Sequence, residues 1–190
     1  MAYYDLFTNR ITECLKGLEV TEAQNSIAAQ RGFEIWCEAS SRIRRSRNQM
    51  FLVGNGASAA MAAHMSADAF KNGGLLAHCF NESSLMTAIA NDISYEQVFS
   101  YPLKQSSNPG DVLVTISSSG NSPNIVSAIQ AAKEKGLYVI TLSGINPDNK
   151  SRAQGDLNFY IPSKSYGIVE SSHQVLLHCW LDMFMDLKPD

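Results

Sequence analysis

The chain has 190 residues, with 15 Lys and Arg against 18 Asp and Glu, a formal net charge of −3. A composition of 45% apolar and 17% charged residues belongs to a globular protein able to bury a core without disulfide or metal staples, and excludes disorder. The slight acidity gives no general attraction to nucleic acid or to an anionic membrane, so neither is an expected partner. No run approaches 18 apolar residues, because the most apolar segment, 174–187, is interrupted by His178, Asp182 and Asp186. The opening MAYYDLFTNR lacks a basic region followed by an apolar run, so no secretory signal is expected. Cys14, Cys37, Cys79 and Cys179 are widely spaced without a C-x-x-C. They read as buried, reduced thiols of a cytoplasmic protein, not as a zinc site or a disulfide framework.

Tyr4, Phe7, Ile11, Cys14 and Leu18 recur at helical spacing, and Phe33, Trp36, Cys37, Ser40 and Ile43 do so again. Two amphipathic helices joined over 20–24 are predicted. Two such helices ahead of any strand exceed what a small core needs, so one face is expected to pack on another subunit. Arg42, Arg44, Arg45 and Arg47 crowd the end of the second helix, where cations oppose the negative end of the dipole. Phosphate or nucleic-acid contact is the rival reading, weakened by the lack of interleaved aromatic residues.

From residue 50 the rhythm changes to strand, loop and helix. The pattern predicts a strand over 50–53, the loop GNGAS, an Ala-rich helix over 58–70 and a strand over 75–80. Short helices are predicted over 84–90 and 95–105, on either side of a break at Asn91-Asp92. The Asn108-Pro109-Gly110-Asp111 turn introduces a strand over 112–116. A helix over 122–135 stops at Gly136, strands follow over 137–142 and 157–161, and the last helix covers 168–187. Apolar strands alternating with amphipathic helices predict an α/β fold with a parallel sheet covered on both faces.

Residues 112–124 read VLVTISSSGNSPN. A strand ends in a run of hydroxyls and a glycine, and Ser122-Pro123 then opens a helix, since Pro lacks the N–H that a helix start leaves unpaired. Backbone donors and the positive dipole end thus lie beside Ser117, Ser118, Ser119 and Ser122, which suits a phosphate. The bland alternative is a polar turn that merely caps the helix. The loop is neither a Walker A loop nor a G-x-G-x-x-G, so no nucleotide is implied. Its place at the carboxyl end of a strand is where open α/β sheets bind ligands.

His64 and Asp68 stand four residues apart on one helix, hence on one face, and read either as a surface pair or as acid/base groups. The last helix carries Glu170, His173, Gln174 and His178. Glu170 and His178 are ~12 Å apart along a regular helix, so they share a small ligand only if both lean toward it or if the helix begins between them. His173 falls on a neighbouring face. His178, beside Leu177, Cys179 and Trp180, also reads as a core histidine.

GNGAS at 54–58, ISSSGNSPN at 116–124 and EKGLYVITLSG at 134–144 resemble the sugar isomerase (SIS) domain of phosphosugar-binding proteins. With both histidines present, the chain more narrowly resembles the sedoheptulose 7-phosphate isomerases, or phosphoheptose isomerases, over almost its whole length. The resemblance implies a single SIS domain over 1–190, a three-layer αβα fold of flavodoxin type. Within it, 1–48 would form a helical arm for oligomerisation and 49–188 the α/β core. It implies a homotetramer with active sites at subunit boundaries. The phosphosugar would be held by Asn55, Gly56, Ser58, Asn91 and Asp92 together with Ser117, Ser118, Ser119 and Ser122.

In this family the positions matching His64 and Asp68 hold a His and a Glu, and those matching Glu170 and His178 hold a Gln and a His. They serve as acid/base groups and, in some members, as zinc ligands. The resemblance therefore makes Asp68, His178 and Glu170 the candidate catalytic residues, and His64, Asp68, Glu170 and His178 a candidate Zn2+ set. Asp68 is one methylene shorter than the family's Glu, which retracts its tip by roughly 1.5 Å, and misplacements near 1 Å cost about a hundredfold in rate. Glu170 adds a negative charge where the family has an amide. The implied reaction converts sedoheptulose 7-phosphate to D-glycero-D-manno-heptose 7-phosphate through an enediol, for lipopolysaccharide or capsule heptose. Isomerases of other phosphosugars lack this His pair. The rival class is a non-catalytic phosphosugar-binding regulator, which has no use for an acid/base pair.

Overall fold

One seven-stranded sheet runs through the molecule in the order β2-β1-β7-β6-β5-β3-β4. The computed structural model describes residues 2–187, and the expected boundaries at 1, 188 and 190 lie outside them. The strands are β1 (Glu19–Glu22), β2 (Asn25–Ile27), β3 (Gln49–Gly54), β4 (Leu76–Cys79), β5 (Val112–Ser117), β6 (Tyr138–Gly144) and β7 (Leu157–Ile161). The helices are α1 (Tyr3–Lys16), α2 (Ala29–Ser46), α3 (Ala57–Lys71), α4 (Ser83–Asp92), α5 (Ser100–Ser106), α6 (Pro123–Glu134), α7 (Lys150–Gln154) and α8 (Tyr166–Asp186).

Strands β3 to β7 are parallel, as expected. Successive side chains of a strand point to opposite faces, so these runs supply two cores. Met50, Leu52, Val114, Leu142 and Phe159 meet α2, α3 and α8 through Trp36, Met65, Leu177 and Trp180. Phe51, Val53, Leu113 and Val139 meet α4, α5 and α6 through Ile89, Leu103, Ile125 and Ile129. The Trp36 and Trp180 rings stack at 4.6 Å, and truncating either to Ala should cost about 3–5 kcal/mol.

The joint expected over 20–24 is instead a β-hairpin. Strand β1 pairs antiparallel with both β2 and β7, so the sheet is mixed and the chain enters it before α2. The turn residues Ala23 and Gln24 both have positive φ, +45° and +69°, without the Asn-Gly that marks such turns. Contacts from outside the hairpin hold them: Ala23 N–H donates to Asp156 O, and the Gln24 amide donates to the carbonyls of Arg152 and Ala153. Helix α2 consequently lies in the core, with Trp36 and Ile43 fully buried. Only α1 has the character of an arm, with no buried residue and with Tyr3 and Tyr4 about three-quarters exposed.

Smaller differences follow from tertiary contacts. Asn91 and Asp92, expected as a break after the helix over 84–90, are the last two residues of α4, and the expected helix over 95–105 divides into a 3-10 turn at Tyr95–Gln97 and α5. Helix α7 has no counterpart among the expected elements. Arg42 and Arg44 lie over the rings of Tyr138 and Phe184, so this cluster covers apolar surface. Cys37 is buried, and burial pushes its thiol up to about 12; Cys179 is exposed, against expectation. No described helix is long and apolar enough to cross a membrane.

Candidate active site

Strand β3 connects through α3 to β4 on one side of the sheet, whereas β5 lies on its other side. The chain therefore reverses direction between β3 and β5, and a crevice opens at their carboxyl ends. GNGAS leaves β3 there and the hydroxyl loop leaves β5, so the starts of α3 and α6 sit side by side. Gly56, at φ +57° and ψ −123°, makes the turn into α3 in a region closed to other residues, and Ser58 is buried in the first turn. The two loops are clamped by a reciprocal amide pair. Asn55 Nδ2 donates to Asn124 Oδ1 at 2.9 Å, and Asn124 Nδ2 donates to Asn55 Oδ1 at 2.9 Å. The Tyr95 hydroxyl adds a third bond to Asn55 Oδ1 at 3.2 Å. Asn124 and Tyr95 were not among the expected site residues; the loop motif contains Asn124, but nothing local reveals its partner 69 residues away.

The hydroxyl loop is shaped from within and from behind. Gly120 N–H donates to Ser117 O and Oγ, and Asn121 N–H donates to Ser119 Oγ. Gly120 has φ +62°, and a Cβ there would overlap Asn149, so only glycine fits. Ser151, in α7, donates to Gly120 O from both its N–H and its hydroxyl at 2.9 Å. Two expected ligand hydroxyls remain uncommitted. Ser118 Oγ is buried without a hydrogen-bond partner, and Ser122 precedes α6 without capping it through its side chain. A buried hydroxyl left unpaired is costly, and an anion accepting from it restores the bond. This favours the ligand-binding reading over the plain turn.

The proton-carrying candidates lie on α3 and α8. His64 Nε2 is 3.3 Å from Asp68 Oδ2, with the side chains 54% and 28% exposed. The His178 ring meets the His64 ring edge-on at 5.6 Å, so three of the expected residues converge. Glu170 is half-buried two turns earlier on α8. Among the described residues no three His, Cys, Asp or Glu side chains are close enough to hold a metal ion. Of the expected Zn2+ set, His64, Asp68 and His178 approach one another, and Glu170 stands two turns earlier on α8. Asn91 and Asp92 bond to each other at the exposed end of α4, just before the turn whose Tyr95 bonds Asn55. His173 is fully buried, donates from Nε2 to Ser143 O at 3.2 Å, and is depressed by burial to about 4, hence neutral near pH 7.

These features describe an open α/β protein with a strand-to-helix loop suited to an anion and titratable side chains on the flanking helices. Residues 7–144 match the SIS domain family. A phosphoheptose isomerase of Aromatoleum aromaticum is 37% identical over 143 residues, 70% of this chain and 72% of that protein. One from Chromohalobacter salexigens is 33% identical over 146 residues, 73% of this chain and 74% of that protein. The structure of a phosphoheptose isomerase from Neisseria gonorrhoeae superposes with a TM-score of 0.83 at 28% identity, covering 97% of this chain and 96% of the other. The chain belongs to the phosphoheptose isomerase family of SIS-domain proteins.

Proposed function

We propose that the protein isomerises sedoheptulose 7-phosphate to D-glycero-D-manno-heptose 7-phosphate in the cytoplasm, for lipopolysaccharide or capsule heptose. The observation that carries this reading is the approach of His178 to the His64–Asp68 pair across α3 and α8. Aldose–ketose isomerisation moves one proton between adjacent carbons and another between their oxygens, so it needs two carriers near a firmly held substrate. Asp68, or Glu170 beside it in an assembled site, takes the carbon proton to give the enediol. His178 passes the second proton between the oxygens, and the hydroxyl loop holds the phosphate. No net oxidation occurs.

The reading includes a homotetramer whose sites are shared between copies. Asp68 lies three turns down α3, ~16 Å from the loop end of the helix. An extended heptose 7-phosphate is roughly 10 Å long on ordinary bond lengths, shorter than this separation, and the shared-site reading has a second chain supply the carriers. The exposed apolar residues of α1, Tyr3, Tyr4 and Leu6, support association.

The test is incubation with sedoheptulose 7-phosphate and a panel of other ketose phosphates, with and without added zinc, following aldose formation. Conversion of the heptulose supports the reading. Binding without conversion under every condition overturns it in favour of a regulatory module.

A further inference from the structure

His173 is a fully buried histidine that the proposed reaction does not use. Its helix reaches the sheet because Gly144 has no side chain there, and a Cβ at Gly144 would lie 2.7 Å from Val169 Cγ1. One turn after Val169, the His173 ring meets the end of β6 and donates from Nε2 to Ser143 O at 3.2 Å. Nδ1 has no partner. With the proton on Nε2 the group left unpaired is a lone pair, which costs less to bury than an unpaired N–H.

The contacts continue beyond Ser143. Its hydroxyl accepts from Asn149 Nδ2 at 3.1 Å, and Asn149 Oδ1 accepts from Arg152 N–H at 2.9 Å to cap α7. Asn149 also packs against Gly120 so closely that no Cβ fits between them. Next to it, Ser151 makes the two bonds to Gly120 O described above. His173, Ser143, Asn149 and Ser151 are each fully buried. Water therefore cannot replace a lost link, and the contacts run without interruption from α8 to the hydroxyl loop.

We infer that His173 is a positioning residue: through Ser143 and Asn149 it holds the phosphate-binding loop in register with α8, the helix that carries Glu170 and His178. The inference rests on the proposed function only for its kinetic consequence, because the tether itself is a property of the chain without substrate. The depressed basicity of His173 agrees with a neutral donor.

The test compares His173→Leu, which removes the donor, with His173→Gln, whose amide places a nitrogen donor at similar reach. Amide hydrogen exchange is read over 117–122 in the full chain without ligand, with α2 as the internal reference. One neutral hydrogen bond corresponds to about three- to tenfold. His173→Leu should speed loop exchange by that factor over the reference and raise KM for sedoheptulose 7-phosphate similarly, with a smaller change in kcat. His173→Gln should restore both. Ser143→Ala cuts the next link with little change in volume, and should loosen the same segment even if His173→Leu does not fold. The inference is overturned if loop exchange rises only in step with the whole chain, or if Ser143→Ala leaves it unchanged. If the loop responds but the wild type turns over no heptulose phosphate, the tether stands and the proposed substrate falls.

Discussion

At the hydroxyl loop, Ser117, Ser118 and Asn124 are buried, the backbone turns on a glycine that nothing can replace, and α7 braces it from behind. At the other end, His64 is more than half exposed, the Asp68 carboxylate pairs with that histidine at 3.3 Å, and His178 meets it through a ring edge. One region is buried and braced, and the other lies open to solvent. Binding a doubly charged phosphate requires donors fixed in advance, because each donor that must be ordered on binding weakens the grip. In the proposed tetramer, a neighbouring chain would order the exposed proton carriers and exclude water around them.

The comparison can be broken most severely by mixing variants. His178→Gln should lower turnover by about 10²–10⁴-fold while leaving phosphosugar affinity and melting temperature near wild type, as general acid–base groups contribute that much. A chain with Ser118, Ser119 and Ser122 all changed to Ala should lose binding instead. If sites are shared, co-assembly of the two should give more turnover than the sum of the parents, and mixtures no better than the sum would place each site within one chain. Asp68→Asn should match His178→Gln, whereas Asp68→Glu, which restores the family's residue, should keep activity.

A second effect concerns the histidine between the two regions. Burial lowers His173 from 6.5 to about 4. The unfolded chain therefore binds an extra proton between those values, so the stabilisation is complete above pH 6.5 and is lost as pH falls toward 4. The loss is on the order of 3 kcal/mol, and His173→Gln should flatten this limb in urea titrations across that range.

Smaller still, Ser122→Ala should weaken phosphosugar binding by ~1.5–3 kcal/mol by calorimetry, because it removes a hydrogen bond to a charged group. Its melting temperature should not move, since this hydroxyl does not cap α6. Tyr95→Phe removes only a bond that orients Asn55, so its cost should be about 0.5–1.5 kcal/mol in the same assay. A larger loss would mean that Tyr95 itself touches the sugar.

The sequence made the parallel core legible because its strands are short apolar runs between strong helix signals, and the strand over 157–161 coincides with β7. The hairpin at Glu19–Glu22 and Asn25–Ile27 was not legible, because Ala23 and Gln24 carry none of the residues that turn of their own accord. They are held by the segment around α7, more than a hundred residues away. The hydroxyl loop and the His64–Asp68 pair follow from local spacing, and the structure brings His178 to that pair. Asn124, Tyr95, Asn149 and His173 carry no local signal. Each acquires its role from a partner on another element, and spacing along the chain says nothing of such partners.

The reciprocal pairing of Asn55 with Asn124 also bears on how this sequence can change over generations. Each amide gives one bond and takes one, so an Asn-to-Asp change at either position sets two acceptors face to face whichever way the remaining amide is turned. A change at either asparagine alone leaves an amide of the other unpaired or facing a like group. Although 69 positions separate them, the effect of changing one asparagine depends on what stands at the other.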